Sequence, residues 1–172
     1  MSRDGRMELT VAPVPSRNFD ILAASALTPS QIPSWLASLP AEHSIPISVL
    51  LDNAPTPRSP FTSHKTTIRE PYTAARQRLK IETNSPPSEV ILYNEEGEIT
   101  EGSLRNIAFW RDGGWVTPPS HSGGIGGTIR RWMIEQNRVR EKVVRVDGLS
   151  QGEWVLLSNG VEGCSIGRFT TV

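Results

Sequence analysis

The 172-residue sequence predicts a single α+β domain in which a few short helices pack on a mixed sheet. Three observations predict it. Short strand runs follow one another through turns between Glu89 and Ser158, with little helix between them, unlike a doubly wound parallel sheet. The helical stretches, opening near Thr28, Pro71 and Thr128, are brief. The length suits one domain with a real core.

The elements follow in order. Asp4-Gly5 is a hairpin signal and Met7 to Val11 alternates as a strand, yet only three residues precede the turn. The chain is therefore expected to begin in mid-domain, or to pair there with another segment. Residues 12–27 read as a loop, then an apolar strand or short helix. Thr28-Pro29 reads as an N-cap with proline at the first helical position, opening a helix through Leu39 that Pro40 ends. Ile45 to Leu51 suits a buried strand, and the three prolines of residues 53–63 make an irregular loop leading to His64-Lys65. Pro71 to Lys80 is helical, with Tyr72, Ala75 and Leu79 on one face.

Glu89–Tyr93 and Glu98–Thr100 flank four connecting residues, as do Asn106–Trp110 and Trp115–Thr117, so two hairpins are expected. A glycine-rich turn, Ser122 to Gly127, opens a helix over Thr128 to Asn137. Strands are expected at Lys142–Val146 and Glu153–Ser158, followed by a short tail.

Composition excludes several functions. Eighteen basic and eighteen acidic residues leave no net field for nucleic acid or an anionic membrane, and the arginines near residue 135 are interleaved with glutamates. One cysteine permits no internal disulfide, and three scattered histidines give no metal-ligand spacing. No run approaches the ~20 apolar residues of a membrane span. A cytoplasmic protein is expected.

Four places can carry chemistry. Lys65, at a loop-to-helix junction beside Thr66 and Thr67, becomes a nucleophile if desolvation lowers its pKa. Taken singly it reads better as a solvated surface lysine. Glu101 ends a strand and can present a carboxylate to a buried cation, although alone it reads better as one more solvated glutamate of an acidic turn. In Gly123-Gly124-Ile125-Gly126-Gly127-Thr128 the glycines admit a ligand to the backbone and the helix start offers free N–H groups to an anion. An equal alternative is a flexible loop with Thr128 as a plain N-cap. No Lys-Ser or Lys-Thr follows, so this is not a Walker A loop. Ser158-Asn159-Gly160 either adds donors to the same anion or makes a turn.

In order, these pieces resemble the class-IV (fold type IV) pyridoxal 5′-phosphate (PLP) enzymes, most closely their aminodeoxychorismate lyase-like domains. The resemblance rests on His64-Lys65-Thr66-Thr67 with Arg69-Glu70 and Tyr72, on Tyr93-Asn94-Glu95 through Glu101, on Asn106, Trp115 to Pro119, Gly127-Thr128 with Arg130, and on Ser158 to Gly163. It implies the large C-terminal domain of that fold across residues 1–172, a mixed, largely antiparallel sheet curled into a pseudo-barrel with packed helices. It also implies that the smaller N-terminal domain is missing. Lys65 would carry PLP covalently and move the substrate Cα proton, and Glu101 would grip the ring nitrogen. Gly127, Thr128 and the N–H of Ile129 would cradle the phosphate, with Asn159 and Gly160 nearby. Three departures stand out: Ile68 replaces asparagine or arginine, Gly160 replaces a hydroxyl residue, and Glu162 replaces arginine, adding negative charge near an anionic pocket.

The resemblance implies a lyase of the aminodeoxychorismate type, releasing pyruvate to give 4-aminobenzoate for folate synthesis, and a homodimer acting on a small amino acid or aminodeoxychorismate-like substrate. An amino-acid aminotransferase on the same scaffold is the alternative enzyme. A truncated, inactive remnant or partner-binding module is the alternative of another class.

Overall fold

The computed structural model describes residues 20–59, 67–81 and 87–171. Eight strands among them form one mixed sheet: β1 (Ile47–Leu51), β2 (Ser88–Tyr93), β3 (Ile99–Gly102), β4 (Asn106–Arg111), β5 (Gly114–Thr117), β6 (Val139–Glu141), β7 (Trp154–Asn159) and β8 (Gly163–Phe169). Their order is β3-β2-β1-β8-β7-β4-β5-β6. β1 runs parallel to β2 and β8, and β5 to β6; the other pairs are antiparallel. Among the described residues three α-helices pack on it: α1 (Ile32–Ser38), α2 (Glu70–Arg78) and α3 (Thr128–Glu135). The expected α+β class and mixed sheet are observed.

Period-two alternation sends strand side chains to two faces, and each face buries its own core. Val49, Ile91, Ile107, Phe109, Val116, Val155, Leu157 and Phe169 fill the inside of the curled sheet. On the outside, Ala108, Trp115, Leu156 and Ile166 meet Ile32 and Leu36 of α1 and Met133 of α3. A third cluster joins Tyr72 and Ala75 of α2 to Val90 and Leu92 of β2. The sheet's edges meet: Ile99 N–H donates to the Val144 carbonyl (2.8 Å) and Val146 N–H to the Gly97 carbonyl (3.0 Å). This seam curls the sheet into the expected pseudo-barrel and leaves neither edge fully bare.

Several elements differ from the expectation. The helix at Thr28 starts at Ile32, because Thr28 forms a polar turn in which its N–H and Oγ1 both donate to Gln31 Oε1 (2.8 and 2.9 Å). That leaves Pro33, not Pro29, in the first turn. Residues 23–26 are a 3₁₀ turn. The second hairpin has two connecting residues, Asp112 and Gly113, both with positive φ (51° and 76°), since Arg111 and Gly114 still pair. This primed turn geometry matches the twist of the strands it joins.

The strand expected at Lys142–Val146 is Val139–Glu141 instead. The chain pairs with β5 there and then crosses to the seam beside β3, so its backbone bonds are divided between two neighbours. The expected short tail is β8, seated between β1 and β7. Its glycine at 167 suits the crowded inner face: an added Cβ would lie 2.4 Å from Val49 Cγ2. The Asp4-Gly5 hairpin, the Met7–Val11 strand and the approach to Lys65 lie outside the described residues.

Candidate active site

Glu101 sits on β3 opposite Leu92 and is only 5% exposed. Helix α2 sets its environment. Tyr72, brought inward by the face it shares with Ala75, donates its hydroxyl to Glu101 Oε1 at 2.7 Å. Asn106, at the start of β4, holds Nδ2 at 3.4 Å from Oε2 and donates it at 2.7 Å to the Ile125 carbonyl. Burial raises the Glu101 carboxyl to about 7; the bonds from Tyr72 and the Ile125 amide pull the other way without overcoming it. Burial and the adjacent carboxylate push the Tyr72 hydroxyl upward too, so it stays a donor.

The glycine-rich turn packs directly on this carboxylate. A Cβ at Gly124 would lie 2.5 Å from the Thr100 carbonyl oxygen, and one at Gly127 would lie 2.1 Å from Asn106 Oδ1. Only glycine permits the approach. The turn is anchored behind: Asn94 Nδ2 and Arg58 Nε both donate to the Ser122 carbonyl, and Ser122 Oγ donates to Glu98 Oε2 at 2.9 Å. Gly127 caps α3, and Thr128 is its first helical residue.

A cleft of about 420 Å³ opens where Glu101, the glycine turn, the start of α3 and the β7–β8 turn converge. Of the residues expected to bind a ligand, Glu101, Gly127, Thr128, Asn159 and Gly160 all line it. The N-terminus of α3 offers it free backbone N–H groups. Ile129 is one residue further in, its side chain packed on the outer core. Asn159 is committed to its turn: Oδ1 accepts the N–H groups of Val161 and Glu162, and Nδ2 donates to Glu162 Oε2. Its side chain serves the turn reading. Glu162, expected to add negative charge, is paired at 2.7 Å with Arg105, a cation it shares with Glu89. Lys65 lies outside the described residues.

Local sequence pattern assigns no role to Tyr72 or Arg69 and does not single out Glu89. Arg69 stacks on the Tyr72 ring with its guanidinium carbon 4.9 Å from the centroid, and donates to the Ser103 carbonyl at 2.7 Å. Glu89, wholly buried, accepts from Ser103 Oγ, the Leu104 amide and Arg105, and so fixes the loop after Glu101. It had read only as the first residue of a strand. Its one visible signal was a carboxylate inside an apolar run, Glu89-Val90-Ile91-Leu92.

The Amino-transferase class IV family model matches residues 3–168. The chain belongs to that family. A provisionally named aminodeoxychorismate lyase of Schizosaccharomyces pombe is 35% identical over 119 residues, covering 66% of this chain and 51% of that protein. The aminodeoxychorismate lyase of Saccharomyces cerevisiae is 29% identical over 188 residues, covering 99% and 50%. This class IV chain thus spans about half the length of the curated relatives it matches. The crystal structure of 4-amino-4-deoxychorismate lyase from Pseudomonas aeruginosa superposes with a TM-score of 0.63 at 19% identity, covering 77% of this chain and 51% of that one, which establishes the shared fold. The fold expected from the resemblance, that of fold-type-IV enzymes, is the one present.

Proposed function

We propose that this class IV chain is the large, PLP-binding domain of a lyase of the aminodeoxychorismate type, which releases pyruvate and leaves 4-aminobenzoate. The observation that carries the reading is a cleft lined by two different features: a buried, proton-hungry carboxylate at Glu101 and a glycine-capped helix start at Gly127–Thr128. A protonated aza-aromatic ring bearing a phosphate matches both. The relatives from the two yeasts, both named as aminodeoxychorismate lyases, support the reaction chosen.

PLP, when bound, supplies an electron sink for the carbanion formed at the substrate Cα. Glu101 holds a proton for the ring nitrogen, and Tyr72 and Asn106 keep its two oxygens in place. The Thr128 side chain and the free amides of Thr128 and Ile129 take the phosphate, helped by the positive end of the helix dipole. The Gly160 backbone lies beside them. Lys65 would make the covalent link and move the Cα proton. Lys65 stands four residues before Arg69 in the sequence, and Arg69 lines the cleft. The other lysines do not compete: Lys142 pairs with Asp112 on the surface at 2.6 Å, and Lys80, in the turn after α2, lines a different pocket. Homodimerisation, cytoplasmic residence and a place in folate synthesis belong to the same proposal.

Spectroscopy and product analysis test it. With PLP, the wild-type protein should develop the visible band of a lysine-linked pyridoxal, which Lys65→Ala should lose. With aminodeoxychorismate it should release pyruvate and 4-aminobenzoate in equal amounts. Amino transfer to a keto acid without pyruvate release would make it an aminotransferase; no band at saturating PLP would refute the cofactor.

A further inference from the structure

Among the described residues two arginines line the cleft, and they are held differently. Both terminal nitrogens of Arg105 are committed to carboxylates: Nη1 meets Glu89 Oε2 at 3.1 Å and Nη2 meets Glu162 Oε2 at 2.7 Å. Its side chain is 10% exposed, and its buried Nε finds no partner among the described residues. Arg69 is exposed, and among the described residues no carboxylate lies within ion-pair distance of it. One of its five N–H donors is engaged by the Ser103 carbonyl. Its planar head rests on the Tyr72 ring, whose hydroxyl is fixed in turn by Glu101. The side chain is therefore ordered before any ligand arrives, and little rotamer freedom remains to be lost on binding.

Its position gives this meaning. Arg69, Tyr72 and Glu101 touch in sequence along the cleft wall, and the glycine-capped start of α3 forms another part of it. A fixed cation with spare parallel donors is the group that recognises a carboxylate bidentately. We infer that Arg69 is the docking cation for a carboxylate of the molecule that reacts in this cleft, and that it selects carboxylate-bearing substrates over neutral analogues. The inference rests on the proposed function for what reacts there, whereas the ion pair itself does not require the cofactor.

Equilibrium titration with benzoate and benzamide tests it, in wild-type, Arg69→Met and Arg69→Lys proteins, each with and without PLP. Benzoate should bind the wild type and weaken about tenfold or more in Arg69→Met, since a charge-assisted bidentate contact is lost. Arg69→Lys should fall between them, because it keeps the charge without the fork. Benzamide should bind all three alike. Failure of benzoate to bind the wild type, or equal binding to Arg69→Met, overturns the inference. Parallel loss of both ligands also overturns it, by marking Arg69 as a prop for Tyr72. Loss of benzoate binding when PLP is loaded would give Arg69 to the cofactor phosphate and equally overturn it. If PLP never attaches, the proposed function falls while the cofactor-free titration still decides Arg69.

Discussion

At the scale of single residues, Glu101 dominates because the fold places a carboxyl where an ionised one is penalised. Its pKa stands at about 7 against an ordinary 4.5, through burial. At ~1.4 kcal/mol for each tenfold change in proton affinity, ionised Glu101 costs the cofactor-free fold about 3 kcal/mol. The folded pKa exceeds the unfolded one, so the advantage of the protonated form is complete below 4.5 and lost as the pH rises through 7. Glu101→Gln, which cannot ionise, should match the wild type near pH 4 and exceed it by about 3 kcal/mol at pH 8, read from denaturant midpoints. An equal offset at both pH values would show an uncharged packing effect instead. Glu101 was legible as a strand-end carboxylate. Its partner Tyr72 was not, because a contact 29 residues distant depends on how α2 seats on β2, which no local pattern encodes.

Among elements, the glycine turn has the strictest steric requirement. An alanine at 127 would drive its Cβ into Asn106 Oδ1, and Asn106 is pinned by the Ile125 carbonyl. Gly126 has open space around its Cβ position. Gly127→Ala should therefore cost about 1–3 kcal/mol by overpacking and weaken PLP binding. Gly126→Ala should cost less than about 1 kcal/mol. Equal denaturant midpoints for the two variants would contradict this close approach. The turn and α3 were readable because glycines and a helix start are local features. So was the buried face of α2, from Tyr72, Ala75 and Leu79. β8 was not, because Gly163-Cys164-Ser165-Ile166-Gly167 carries little β-propensity. Its stability comes from two flanking strands and from a Gly167 position already filled by Val49.

For the whole molecule, β8 joins the two halves of the sheet. β3-β2-β1 lies on one side of it and β7-β4-β5-β6 on the other. A chain ending at residue 160 should lose the cooperative unfolding transition, whereas a chain lacking Thr171 and Val172 should keep it, as calorimetry would show. The α+β class was legible from the strand-and-turn rhythm. The closing seam was not, because Ile99 and Val144 meet only once every intervening strand is in place.

Covalent attachment at Lys65 is the centre of the account, and peptide mapping tests it most directly. The protein is incubated with PLP, reduced with borohydride, digested and sequenced by mass spectrometry. The chain has three lysines, at 65, 80 and 142. One pyridoxyl group per chain should appear, on the peptide containing Lys65. A label shared with Lys80 and Lys142, or no label on Lys65, would contradict the account.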